Sequence, residues 1–284
     1  MRIVEPKLFA GYRPILVEEL RRVLAGEGPL RSVLRYHVGL EDAFGAPVEA
    51  LGKLIRPSLT LLIADELGGD PRAAVPAAAA LELVHEFSLI HDDVQDRDEV
   101  RRERPTVWRR WGEAQAINAG DLMLVLALAE AGRAGDAVRE RVLGATVEMI
   151  EGQALDVSFD GLTTLGEYTA MIDRKTGALF RCACELGGIF AGASPEVRER
   201  LNGIGRELGR AYQIRDDLRD DLRPARTPYS VVAEMEKGDG ANAVNAHLEN
   251  VTRAAERLPF GETGLGEIRA LCEALRLEDK GAER

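Results

Sequence analysis

Twice along this chain an apolar, helix-patterned approach runs into the same acidic spacing. Residues 81–111 (LELVHEFSLIHDDVQDRDEVRRERPTVWRRW) carry Asp92, Asp93 and Asp96, and AYQIRDDLRDD carries Asp216, Asp217 and Asp220. Ahead of the first cluster, Leu83, Val84, Phe87 and Ile90 recur at helical spacing. Continuing that helix puts Asp92 and Asp96 one turn apart on one face. Like charges at that spacing repel and Asp is a mediocre helix former, so helix stability gives no reason for them. A divalent cation does: Mg²⁺ takes hard oxygen ligands, keeps several waters and completes its shell with substrate phosphates. Just downstream, Arg101, Arg102, Arg104, Arg109 and Arg110 offer forks suited to phosphate oxygens. Alone, either motif is also what a solvated acidic turn looks like. With 18 Asp in 284 residues, chance supplies about 0.07 such motifs per chain, so the repetition carries the signal. The expectation is two carboxylate clusters facing each other across a helical cavity, holding Mg²⁺ around a diphosphate.

The rest of the composition suits such a cavity. Hydrophobic residues make up 45% and aromatics only 5%, and abundant Ala, Leu, Arg and Glu favour helix. No linker interrupts the pattern, so residues 1–284 are expected to form a single all-α domain. A net charge of −11 argues against nucleic-acid binding, which needs a basic face. Cys182, Cys184 and Cys272 have neither C-x-x-C nor Cys/His zinc spacing. They read as core thiols in a reducing compartment, which is the cytoplasm. No apolar run is expected to span or insert stably into a membrane, residues 122–129 reading as a buried helix segment. The N-terminus lacks the apolar core of a signal peptide.

Along the chain, residues 14–24 form an amphipathic pattern, AGEGP breaks it, and a second helix begins near Leu30. Lys53 and Arg56, three apart, can point one way; snorkelling cations at a helix start would look the same. Residues 76–91 read as the helix leading to the first cluster, with small residues at Ala77 to Ala80 leaving space beside it. INAGDLMLVLALAEA, residues 117–131, is apolar on most faces and reads as a central helix. Two or three polar amphipathic helices are expected after Gly240.

The paired motifs, SLIHDDVQDRDEVRRERPT and YQIRDD, make the chain resemble the trans-polyprenyl diphosphate synthases over most of its length, from Gly52 to beyond Asp221. The resemblance implies an all-helical bundle of the isoprenoid synthase type with a central cavity. It also implies a homodimer, and metal ligation by Asp92, Asp93, Asp96, Asp216, Asp217 and Asp220 of about three Mg²⁺ ions. Gly52, Lys53, Arg56 and Pro57 match the family's G-K-x-x-R-P signature, which binds the diphosphate of the homoallylic substrate, whereas Leu51 and Leu54 depart from it. His85 falls where the family sets a polar side chain against that same diphosphate. Arg101 matches an arginine for the allylic diphosphate and Arg102 one for the homoallylic; Glu103 follows where many members have Gly. Lys175 and Thr176 match the family's K-T pair on the allylic diphosphate, and Gln213 lies in the second motif's approach. EGQALD, with Gln153 and Asp156, resembles the G-Q-x-x-D stretch, although core hydrogen bonding explains these residues as well. After Asp221 the family's G-K-P loop and later Lys are missing, leaving Arg219, Arg223 and Arg226 as non-equivalent substitutes.

The reaction implied is condensation of isopentenyl diphosphate with an allylic prenyl diphosphate. Asp92, Asp96, Arg101, Lys175 and Asp216 form the catalytic set, and Mg²⁺ assists ionisation. Phe87 and Ser88, a large side chain beside a small one just before the first motif, resemble the arrangement that limits chain length in short-chain synthases. They point to a short product, geranylgeranyl diphosphate first and farnesyl diphosphate behind it; Phe87 as plain core packing is the alternative. Two rivals remain: a terpene cyclase of the same fold, against which the isopentenyl-binding residues count, and a non-catalytic regulatory subunit, which would be expected to have lost metal ligands. A generic helical scaffold leaves both clusters unexplained.

Overall fold

The computed structural model describes residues 9–158, 164–220 and 240–277, the side chains of Arg219 and Asp220 excepted. Among the described residues the protein is all-α, with one two-stranded hairpin. Contacts gather into two compact units. The first comprises Phe9–Leu61 and Pro71–Leu143, and the second the described parts of Leu62–Asp70 and Gly144–Arg284.

In the first unit, α1 (Arg13–Val23) and α2 (Pro29–Val38) each open on a proline in the first turn, where a missing N–H costs nothing. Gly39 closes α2 at φ 91°, and a Cβ there would lie 2.4 Å from the Ala50 carbonyl oxygen. No other residue fits both demands. After α3 (Ile55–Glu66), α4 (Val75–Gln95) buries Ala77, Ala78, Ala79 and Ala80. It continues through the first aspartates, as expected, with Asp92 and Asp93 in its last turn. The hairpin β1 (Val100–Arg101) and β2 (Arg104–Pro105) follows, then α5 (Val107–Trp111) and α6 (Glu113–Arg133). α4 packs against α1, α5 and α6.

α6 corrects the sequence reading on two counts. Its 21 residues are long and apolar enough to cross a membrane by length and composition alone, an 18-residue stretch of it having a mean hydropathy of 1.2. Residues 122–129 are also not buried throughout: Met123 and Ala127 are, while Val125 is 62% exposed. At 3.6 residues per turn a helix buries only the face that meets a neighbour. Its end carries the buried Glu130, paired with Arg22 at 2.6 Å and Arg133 at 2.5 Å.

The boundary between the units falls within α3 and α7 (Asp136–Ser158). The second unit contains α8 (Leu165–Lys175), α9 (Gly177–Phe190) and α10 (Pro195–Asp220), then α11 (Gly240–Ala255) and α12 (Glu262–Leu275). Thr164 and Glu167 form a capping box that starts α8. α10 is the hub, packing on α8, α9, α11 and α12. Its closest approach is to α9, where a Cβ on Gly205 would lie 2.5 Å from Arg181 Cα and one on Gly209 2.6 Å from Gly177 Cα. Small residues four apart bring two helix backbones together there.

Candidate active site

The first acidic cluster sits at the C-terminal end of α4, with no basic residue in the last turn and Asp96 as the cap. Carboxylates at the negative end of a helix dipole destabilise the helix and make the position attractive to a cation. The three differ in setting: Asp92 is half-buried, Asp96 exposed and Asp93 fully buried. Asp93 Oδ1 lies 2.7 Å from both Nε and Nη2 of Arg101, while its Oδ2 has no hydrogen-bond partner. Burial pushes the Asp93 pKa up and Arg101 opposes it.

Arg101 and Arg102 diverge because the hairpin turns between them. Arg102 at φ 51° and Glu103 at φ 62° are both left-handed, the two-residue turn that matches strand twist and favours Asn-Gly. Arg101 meets Asp93, whereas Arg102 reaches Glu86, with Nη2 2.7 Å from Oε1 and Nη1 3.3 Å from Oε2. The Arg102 guanidinium also crosses Gly52, where a Cβ would meet Nη2 at 2.8 Å. Arg13 Nη1 donates to the Gly52 carbonyl at 3.0 Å. Beyond Gly52, Lys53 is exposed and Arg56 buried, and Leu54 between them takes φ 53°, a strained setting for a branched side chain.

Beneath these cations α4 supplies Glu82, His85 and Glu86. Burial, then nearby Arg56, holds the His85 pKa well below its ordinary value, so His85 is neutral and offers one N–H. Burial works to raise the Glu86 pKa, but Arg102 and His37, whose Nε2 lies 3.0 Å from Oε2, outweigh it and keep Glu86 ionised. Burial and the Glu86 charge one turn away push Glu82 the other way. Phe87 is buried and packs edge-on to His91 at 5.0 Å between ring centroids. Ser88 Oγ donates to the His85 carbonyl at 2.8 Å. His91 serves packing, lying against Gly120 with Nε2 3.3 Å from the Ile117 carbonyl.

The second cluster lies on the last described residues of α10. Asp216 is half-buried; the side chain of Asp220, with Arg219, Arg223 and Arg226, lies outside the described residues. Asp217 accepts from the Tyr168 hydroxyl at 2.6 Å and from Gln213 Nε2 at 2.8 Å. Burial pushes its pKa up to about 7 against the pull of both donors. The Thr176 hydroxyl donates to Gln213 Oε1, so Thr176, Gln213 and Asp217 form one chain of hydrogen bonds. Gly209 makes it possible by letting α9 begin against α10. Lys175 pairs with Asp156 on α7, where Gly152 would otherwise set a Cβ 2.2 Å from the Lys175 amide nitrogen. Gln153 is half-buried on the same helix.

Three contributors went unnoticed in the sequence. Glu86 and His37 carry no motif, and Tyr168 is one tyrosine among five. Only the apolar setting of Glu86, midway along a buried helix, signals that a buried carboxylate needs partners.

The donor set suits Mg²⁺. Asp92, Asp96 and Asp216 are hard oxygen donors, and among the described residues no three His, Cys, Asp or Glu side chains form a group that could hold a metal ion. A separate cleft of about 410 Å³ in the second unit is lined by Glu148, Glu151, Asp173, Arg174, Arg181 and Arg206, with Asn202. Its acids are already paired, Glu148 with Arg181, Glu151 with Arg174 and Asp173 with Arg210.

Among the described residues the chain is all-α, with two aspartate clusters of one spacing on long helices and basic side chains on neighbouring segments. The polyprenyl synthetase family profile matches residues 38–227, and the chain belongs to that family. It is 46% identical over 197 residues to (2E,6E)-farnesyl diphosphate synthase of Mycobacterium tuberculosis, a match covering 66% of this chain and 55% of that protein. It therefore spans about half the length of that relative. To the short chain isoprenyl diphosphate synthase of Methanothermobacter thermautotrophicus it is 38% identical over 241 residues, covering 82% and 74%. Among solved structures, a polyprenyl synthetase from Streptomyces coelicolor superposes with a TM-score of 0.82 at 29% identity, over 95% of this chain and 99% of that one. Geranylgeranyl pyrophosphate synthetase from Pyrococcus horikoshii gives 0.83 at 28%, over 95% and 98%.

Proposed function

We propose that this protein is a trans-prenyltransferase that condenses isopentenyl diphosphate with an allylic diphosphate to give a short all-trans prenyl diphosphate, geranylgeranyl diphosphate favoured over farnesyl. The observation that carries this reading is the pair of aspartate clusters at one spacing, each borne on a long helix. Asp92, Asp96 and Asp216 hold Mg²⁺, and Asp220 extends the second set. Asp93 and Asp217, engaged by Arg101 and by Tyr168 with Gln213, orient the clusters from behind.

Bound Mg²⁺ supplies Lewis-acid stabilisation to the leaving diphosphate, worth several kcal/mol in such reactions. Lys175, Thr176 and Arg101 bind that diphosphate and orient it for departure. Lys53, Arg56 and Arg102 hold the diphosphate of isopentenyl diphosphate by charge, and neutral His85 adds a single N–H. The departing diphosphate takes the proton released on condensation, so no strong side-chain base is required. Phe87, buried five residues ahead of Asp92, limits the growing tail. The same reading makes the protein a cytoplasmic homodimer, with support from family membership and from three buried, unlinked cysteines.

Incubation with Mg²⁺, isopentenyl diphosphate and farnesyl diphosphate, followed by dephosphorylation and mass analysis, tests the proposal. Geranylgeraniol is the expected product, and Phe87→Ala should lengthen it. No elongation from farnesyl, geranyl or dimethylallyl primers would overturn it, and a cyclic hydrocarbon from the primer alone would make the protein a cyclase.

A further inference from the structure

Arg102 depends on a carboxylate that belongs to neither acidic motif. Glu86 precedes Asp93 by seven residues on α4, two helical turns or about 10 Å along one face. Consecutive arginines of the hairpin divide between these two acids, Arg101 going to Asp93 and Arg102 to Glu86. The left-handed backbone at Arg102 and Glu103 makes the division possible, because an extended backbone would send the two side chains to opposite faces.

Glu86 is 1% exposed. A buried ion pair adds little net stability compared with apolar residues of the same volume. The arrangement around Arg102 is better explained by geometry. Glu86 takes two of the guanidinium's five N–H donors. On the other side His37 Nε2 lies 3.0 Å from Glu86 Oε2. Gly52, which lacks a Cβ, lets the guanidinium lie against the segment that carries Lys53 and Arg56. The guanidinium of Arg102 is thereby fixed beside that segment.

We propose that Glu86 is a positioning residue that aims Arg102 at the diphosphate of isopentenyl diphosphate, with His37 holding Glu86 in place. The proposal rests on the prenyl-transfer reading for its ligand, and its test separates the two. Isopentenyl diphosphate is titrated calorimetrically into Mg²⁺-loaded wild type, Glu86→Gln, Arg102→Ala and the double variant. Glu86→Gln should weaken binding about tenfold, as expected for loss of a hydrogen-bonded charge partner. The double variant should bind no more weakly than Arg102→Ala. Glu86→Asp keeps the charge but falls one methylene short, so its loss should be intermediate; it carries the test if the Gln variant does not fold. In turnover, Glu86→Gln should raise KM for isopentenyl diphosphate while KM for the allylic primer stays within about twofold, a split that a general loss of structure would not produce. Wild-type affinity in Glu86→Gln, additive losses in the double variant, equal rises in both KM values, or no binding of isopentenyl diphosphate to wild type would each overturn the proposal. If the binding pattern holds and no primer is elongated, the positioning role stands and the prenyl-transfer reading falls.

Discussion

At the end of α4, Asp93 gives one oxygen to a guanidinium; at the end of α10, the equivalent Asp217 takes both of its hydrogen bonds from neutral donors, Tyr168 and Gln213. The spacing of the two motifs is the same, and both carboxyls have raised pKa values because both are buried. Only Asp93 has a full counter-charge in contact. Neutral donors stabilise a carboxylate less than an arginine does, so Asp217 ionises only near neutral pH. Two identical acidic patterns can therefore answer a cation differently, since a cation arriving near Asp217 also drives off a proton.

The largest expected effect tests whether both ends serve the chemistry. Asp92→Ala and Asp216→Ala should each lower kcat by about a thousandfold, the scale of losing a principal electrostatic contributor, read in steady-state assays with saturating Mg²⁺. A large loss in one and wild-type turnover in the other would break the comparison.

Next comes the packing that supports each end. Gly209→Ala drives a methyl into the backbone of Gly177, which cannot yield, and should cost about 1–3 kcal/mol, read as a lower denaturation midpoint. Gly120→Ala in the first unit meets the ring of His91, a side chain that can rotate away, and should cost less. Equal costs would mean that α6 is held as rigidly as α9.

The protonation difference predicts a pH signature. Asp217 ionises near 3.8 when unfolded and near 7 when folded. The folded state thus binds the proton more tightly between those values. That contribution to stability is complete below the unfolded pKa and is lost as pH rises through the folded one. In Mg²⁺-free buffer, Asp217→Asn should gain on wild type in Tm between about pH 4 and pH 8, leaving a flatter profile. An unchanged difference would place the raised pKa elsewhere.

The smallest effect is local to the hairpin. Glu103 holds a left-handed conformation that costs a side chain about 1–2 kcal/mol, part of which Gly returns as unfolded-state entropy. Glu103→Gly should therefore stabilise by about 0.5 kcal/mol, measured by urea unfolding.

Much of this was legible in the sequence. The apolar spacing into Asp92 identified α4, and the repeated motif identified its counterpart on α10. Lys175 pairs with Asp156 and the Thr176 hydroxyl donates to Gln213. Continuing the helix through the first motif was also right, since α4 runs to Gln95 with Asp96 as its cap. Residues 122–129 of α6 read as buried because an all-apolar tract does not say which face will find a neighbour.

By itself the sequence determined which segments are helices and the order in which acidic and basic groups meet. Both follow from repeats within a turn or two of chain, where geometry is fixed by the backbone. Only the tertiary structure decided which charges are real: that Glu86 stays ionised between His37 and Arg102, that His85 is neutral and that Asp217 resists ionisation. Tyr168 reaches Asp217 across 49 residues of chain and Arg102 reaches Glu86 across 16. The charge of a buried group depends on the neighbours that folding brings to it, and local spacing carries no record of them.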